Sequence, residues 1–197
     1  MAKRVLDKIF RPVYPTPVCL ITSLAADGTP NIITLAETFN ISIGVEGCVT
    51  VGLAIVPSRY SHDLIEVSGE FTVNIPTADM VREVDRCGTV SGRRHDKFAY
   101  SGLTPLPATK VKPPIIAECP VNLECILIDI TQAGDHDLFR GEVVAQHVDE
   151  AILNADGTIA IDRLNPLSYV LGQYWSLGRH LGNHGFTKKG GEGIRHP

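Results

Sequence analysis

Apolar and polar positions along this chain alternate mostly with a two-residue period, the mark of half-buried strands. Phe71, Val73 and Ile75 fall on one face of a run and Thr72 and Asn74 on the other. Val49, Val51, Leu53 and Ile55 repeat the pattern, as do the longer stretches Val121–Thr131 and Leu138–Val148, joined by the turn Gly134-Asp135-His136-Asp137. Val18–Leu24 and Asn31–Phe39 read as a hairpin through Asp27-Gly28, and Ile41–Val45 adds a short run before Glu46-Gly47. Helical spacing occurs in two places. Leu64, Ile65 and Val67 fit one or two turns stopped by Gly69, and Met80, Val81 and Val84 fit a helix over Ala78–Cys87 stopped by Gly88.

Strand follows strand through short turns, so parallel βαβ winding is excluded and an antiparallel barrel or sandwich is expected. Between Thr89 and Pro120 the pattern lapses into a loop dotted with Pro105, Pro107, Pro113 and Pro114, and a loop of that length predicts a functional or docking role. After Val148 a helical or irregular piece (Glu150–Leu153), an Asp156-Gly157 turn and Pro166-Leu167-Ser168-Tyr169 follow. The Lys188-Lys189-Gly190-Gly191 region predicts a mobile tail over 187–197.

Composition narrows the partners. The 197 residues carry a net charge of −4 with no basic stripe, which argues against a nucleic-acid partner. Charges occupy the first ten residues where a signal peptide needs an apolar core, and no apolar run reaches the ~20 residues of a membrane helix. A cytoplasmic protein without membrane contact is expected, folded as one unit over 1–197 with 1–10 as a lead-in. Five cysteines without a CxxC pair read as small buried apolar residues rather than a disulfide or zinc framework.

The candidate chemistry gathers after the Val49–Ile55 run, at Ser58-Arg59-Tyr60-Ser61-His62. Two hydroxyls and a guanidinium stand at a helix start, where unpaired N–H groups and the dipole favour an anion such as a phosphate. The same residues also fit a plain N-cap, by Ser58 or Ser61, beside a surface arginine. Thr34, Ala36, Glu37 and Thr38 end a strand with small or polar residues that admit a flat ligand, or else continue ordinary alternation. His136 sits at a turn tip, either solvated or placed to relay a proton. His180 and His184 are spaced for a metal only on a helix, which Gly182 between them opposes, so no metal is assigned. The glycine-rich nucleotide loops and the G-x-S-x-G elbow are absent.

Several segments together resemble one family. Pro30-Asn31-Ile32-Ile33-Thr34-Leu35-Ala36, Ser58-Arg59-Tyr60-Ser61-His62, Gly69-Glu70-Phe71-Thr72-Val73-Asn74, Ser91-Gly92-Arg93 through Asp96-Lys97-Phe98, Glu118-Cys119-Pro120-Val121, and Gly134-Asp135-His136 with Gly141-Glu142-Val143 follow the order of the flavin reductase-like family, most closely its flavoredoxin-like branch. The resemblance implies a mainly β fold, an antiparallel split β-barrel of Greek-key type with a few flanking helices. It implies a homodimer with one FMN per subunit, whose phosphate is held by Ser58, Arg59 and Ser61 and whose ring is lined by Asn31, Thr34, Ala36 and Glu37. Lys97, His136 and Tyr169 match positions beside the isoalloxazine. Two departures stand out: Glu37 replaces an aromatic residue that relatives can carry, and Ser61 replaces a frequent threonine.

The implied reaction passes a hydride from NADH or NADPH to FMN and electrons onward to an acceptor, a monooxygenase or redox protein among the partners. Lys97 would stabilise the anionic flavin, Glu37 would oppose it, and His136 would relay a proton. Two alternatives fit the same residues: an FMN electron carrier serving protein partners, and a split barrel that binds haem or another ligand.

Overall fold

The computed structural model of the protein describes residues 2–45 and 47–188. Glu46 of the expected Glu46-Gly47 turn and the tail from 189 onward lie outside the described residues. The first half runs β1 (Thr16–Pro17), β2 (Cys19–Leu24), β3 (Pro30–Leu35), β4 (Thr38–Ile43), β5 (Val49–Ile55), α1 (Tyr60–Ser68), β6 (Glu70–Ile75) and α2 (Val81–Thr89). The second half runs α3 (Lys97–Ser101), β7 (Pro105–Leu106), β8 (Ile115–Ile116), β9 (Val121–Ala133), β10 (His136–Val148), α4 (Ile161–Leu164), β11 (Leu167–Val170) and β12 (Gln173–Ser176).

Seven strands form one antiparallel sheet in the order β3-β2-β6-β9-β10-β5-β4. β3 and β4, neighbours in sequence, therefore lie at opposite edges, and Ala36-Glu37 is the corner that brings those edges together into a split barrel. The sequence pattern predicts an unbroken strand over Asn31–Phe39. The chain instead bends at this corner, where the Glu37 carbonyl accepts from the Ala54 N–H at 2.9 Å. No glycine or proline marks the bend; it is imposed by closure of the sheet.

Side chains from alternate positions of β2 supply two cores. Cys19 and Ile21 point into the barrel with Leu53, Ile55, Phe71, Val73, Cys125 and Phe139. Val18 and Leu20 pack on the outside against Val84 and Cys87 of α2 and Phe98 of α3. A strand buried on both faces explains the continuous apolar run Val18–Ile21. Cys19, Cys87, Cys119 and Cys125 are all buried and reduced, as expected of small apolar fillers, while Cys48 is exposed. Gly141 lies directly beneath the Phe71 ring, so close that a Cβ there would come within 2.7 Å of Phe71 Cε1.

Helix α1 plugs one end of the barrel with Ile65, and Gly69, at φ 69°, ends it in the left-handed conformation that glycine adopts without strain. Helix α2 runs on to Thr89, through the Gly88 that the sequence marked as its stop. The glycine faces Thr34 of β3, whose Cβ would lie in ordinary van der Waals contact, 3.4 Å from a Cβ at position 88.

The proline-dotted stretch from Thr89 to Pro120 is not a free loop. It contains α3 and the small β7–β8 pair, and buried polar side chains of the sheet hold it down. Asn74 accepts from the Ile116 N–H at 3.0 Å, Asn122 donates to the Ile116 carbonyl at 3.1 Å, and Thr72 donates to the Pro114 carbonyl at 3.0 Å. Glu124 accepts from the backbone N–H groups of Thr109, Lys110 and Val111 at 2.8, 2.6 and 3.0 Å. The polar positions that alternation would assign to solvent are in fact the seat of this segment. Among the described residues, no helix is long and apolar enough to cross a membrane.

Candidate functional site

A cleft of about 410 Å³ opens between the start of α1, the β3 strand, the end of α2 and the segment that follows it. Asn31, Thr34, Glu37, Ser58, Arg59, Ser61, Lys97 and His136 all line it. One predicted residue, Ala36, is not among the lining side chains, although Leu35 and Glu37 on either side of it are. Tyr169 lies in an adjoining cleft of about 210 Å³, whose wall shares Arg11 and Glu37 with the first.

At one end stands the helix start. Arg59 occupies the N-cap position of α1 in an extended conformation, and no side chain caps the helix. Neither serine therefore acts as the cap: Ser58 is exposed, and Ser61 is buried with its hydroxyl accepting from Asn31 Nδ2 at 2.7 Å. Arg11, Arg93 and Arg140 each hold a carboxylate, whereas Arg59 has none within ion-pair reach among the described residues. An uncapped helix start beside an unpaired guanidinium suits an anionic group.

Between the ends, Asn31 is buried, and its Oδ1 has no hydrogen-bond partner. The amide presses against Gly92, where a Cβ would come within 2.9 Å of Asn31 Cγ and 3.2 Å of Tyr60 Cδ1. An orphaned acceptor is costly unless a ligand supplies a donor, and the ribityl hydroxyls and the ring N–H of a flavin are such donors. Arg93 stacks over the Tyr60 ring at 4.7 Å and holds Asp63 at 2.5 Å, fixing the outer rim.

At the other end, Lys97 is buried as the first residue of α3, and its ammonium donates to the Cys87 carbonyl at 2.7 Å. Burial pushes its pKa down to about 8; the Cys87 thiol pulls it back up and Arg59 adds to the lowering. Glu37 does not face the cleft as a lone negative charge, because Arg11 forms an ion pair with it and also stacks 5.3 Å from the Tyr169 ring. The opposition to Lys97 expected from Glu37 is thus largely neutralised. His136 is half-buried and its Nδ1 lies 2.8 Å from Asp135, whose carboxyl that contact holds below the usual range. Its place is the first residue of β10 rather than a free turn tip.

Thr34 lines the cleft and has a further contact: its hydroxyl donates to the Val84 carbonyl at 2.7 Å and ties β3 to α2. Arg11, Tyr60 and the Cys87–Gly92 wall were not legible as site residues. Tyr60, Ser91 and Gly92 stood in motifs of the resemblance without a role, and Arg11, just past the lead-in, carries no pattern that singles it out. His180 and His184 fall in irregular chain, so the helical metal spacing is not formed. Among the described residues, no group of three His, Cys, Asp or Glu side chains is placed to share a metal.

Known proteins share this fold. Flavoredoxin of Desulfovibrio vulgaris (Miyazaki F) matches over 96% of this chain and 100% of its own, at 30% identity and a TM-score of 0.85. An uncharacterized protein of Archaeoglobus fulgidus is 37% identical over 145 residues, 74% of this chain and 78% of its own. An NADH:riboflavin 5′-phosphate oxidoreductase of Streptomyces pristinaespiralis is 31% identical over 129 residues, 66% of this chain and 69% of its own. Residues 10–178 match the flavin reductase like domain model, and the chain belongs to the flavin reductase-like family of split barrels.

Proposed function

We propose that the chain is an FMN-dependent oxidoreductase that takes electrons from NADH or NADPH, with the cofactor phosphate at the start of α1 and the ring toward Lys97 and His136. The observation that carries this reading is the pairing, in one cleft, of an unpaired Arg59 at an uncapped helix start with the orphaned Oδ1 of Asn31. Bound FMN would supply the redox chemistry between a nicotinamide donor and an electron acceptor.

The chain's own residues bind and tune. Arg59, Ser58 and the α1 N–H groups hold the phosphate, Asn31 accepts a donor from the flavin, and Ser61 fixes the Asn31 amide. Lys97 presents a buried cation whose carbonyl partner keeps it in place. Negative charge arriving beside it raises its pKa from about 8 and keeps it charged at neutral pH. The Arg11–Glu37 pair closes the ring end of the cleft, and His136, steadied by Asp135, holds or moves a proton there.

A second copy of the chain completes the functional unit. Phe39, Ile41 and Ile43 on the edge strand β4 are 44, 44 and 72% exposed, an apolar edge that a homodimer would cover.

Purified protein titrated with FMN, then mixed without oxygen with each nicotinamide in turn, tests the reading. Flavin uptake followed by bleaching of the yellow band at about 1 per second or faster is expected. A colourless preparation that takes up no FMN refutes the reading. The similarity to flavoredoxin favours one variant of it, an electron carrier fed by protein partners. FMN uptake with no bleaching by either nicotinamide selects that variant.

A further inference from the structure

His62 is the third residue of α1, one position after the cleft-lining Ser61, and its side chain is turned away from the cleft into the end of the barrel. Its Nε2 lies 2.8 Å from Asp137 Oδ2, and its ring meets Phe139 edge-on with centroids 4.8 Å apart. Asp137 and Phe139 occupy alternate positions of β10 and so share one face, whereas His136, between Asp135 and Asp137, points to the other face, which lines the cleft. Helix and strand thus touch through a part-buried polar contact. On the helix the residue beside that contact is Ser61 of the phosphate end; on the strand it is His136 of the ring end.

We infer that His62 is a positioning residue: through Asp137 it fixes the helix that carries the phosphate site against the strand that carries His136, and so sets the span between the two ends of the cofactor cleft. The inference rests on the FMN reading above. Packing by itself does not explain an imidazole here. The ring packs edge-on against Phe139 of the barrel core, and a leucine would fill that place without a buried polar atom. The imidazole is kept although its Nδ1 is buried and unpartnered, with Asp63 and Glu66 at 3.9 and 3.8 Å, beyond hydrogen-bond reach. What the imidazole adds is direction. The hydrogen bond to a carboxylate holds α1 at one rotation and one height over the barrel end, which an apolar contact does not.

A ligand that must reach both ends feels that span, and a ligand that touches only the ring end does not. FMN and riboflavin are such a pair, because riboflavin lacks the phosphate. The ratio of their dissociation constants therefore reads the span directly, while a general loss of stability weakens both alike. In the full chain, His62→Leu should reduce the preference for FMN over riboflavin by about tenfold, the scale of one hydrogen bond to a charged group. His62→Gln, whose amide N–H can reach the same carboxylate, should restore the preference to within about threefold of wild type. Asp137→Ala should act like His62→Leu, and combining the two should add little further. If His62→Leu does not fold, Asp137→Ala with His62→Gln carries the same comparison.

An unchanged ratio in His62→Leu or Asp137→Ala, with FMN still bound by wild type, overturns the inference and leaves the FMN reading standing. So does failure of His62→Gln to restore the ratio. Wild-type protein that binds neither flavin overturns both.

Discussion

Glu124 offers a test of what holds the long segment after α3. Its carboxylate is fully buried on β9 and takes five hydrogen bonds: from the Thr109 N–H and hydroxyl at 2.8 Å each, the Lys110 N–H at 2.6 Å, the Val111 N–H at 3.0 Å and His147 at 2.6 Å. Burial alone raises a carboxyl pKa. Here the donors from Thr109, His147 and Lys110 outweigh burial and hold it at about 2, against an ordinary value of 4.5. The gap, at about 1.4 kcal/mol per pH unit, amounts to about 3 kcal/mol of stability. Because the folded value is the lower one, that contribution is complete above about pH 4.5 and disappears as the pH falls through about 2.

The same two values give the loss at any intermediate pH. Between pH 6 and pH 3 this one group should cost the wild-type protein about 2 kcal/mol. Glu124→Gln keeps the shape but turns an amide N–H toward backbone donors, so it should lose about 3 kcal/mol at pH 7 and then be less sensitive to acid by about 2 kcal/mol. Urea denaturation of both proteins at pH 7, 6 and 3 measures the difference. Parallel falls of the two curves between pH 6 and pH 3 would refute the reasoning, because the acid sensitivity would then come from other carboxylates.

Three further outcomes are expected. Arg59→Ala should weaken FMN binding by about 1.5–3 kcal/mol, as a lost hydrogen bond to a charged group does; unchanged affinity in a folded variant returns Arg59 to the role of a surface charge. Gly92→Ala should force the Asn31 amide away from Ser61 and narrow the cleft, raising the Kd for FMN by about tenfold with little change in the far-UV spectrum; full affinity would show that the 90–95 segment simply moves aside. Gly141→Ala, pressed against a fully buried Phe71 ring, should lower stability by about 1–3 kcal/mol, and an unchanged urea midpoint contradicts the packing described.

The helix start shows how sequence and structure divided the work at the site. Two serines, an arginine and a following helical turn were enough to name an anion site, because the chemistry of a helix N-terminus is local. Which serine did what was not local. Ser61 turned inward to Asn31, a residue 30 positions earlier in the chain, and Arg59 itself became the N-cap. The partner of Glu37 was likewise not local, since its charge is answered by Arg11, 26 positions away. Thr34 lines the cleft as expected, and its hydroxyl also ties β3 to α2, a contact 50 positions away that no local pattern shows.

By itself the sequence determined the period of its strands, the stop at Gly69, the β9–β10 hairpin and the residue types able to hold a phosphate. These follow from backbone geometry and side-chain chemistry within a few residues. Only the tertiary structure decided where the sheet closes, since the corner at Ala36-Glu37 is set by β4 joining β5 across the barrel. It also decided that Thr72, Asn74, Asn122 and Glu124 face a covering segment rather than water, because alternation tells which residues share a face but not what lies over it. The contact of His62 with Asp137 belongs to the same class, for it joins a helix and a strand through residues 75 positions apart.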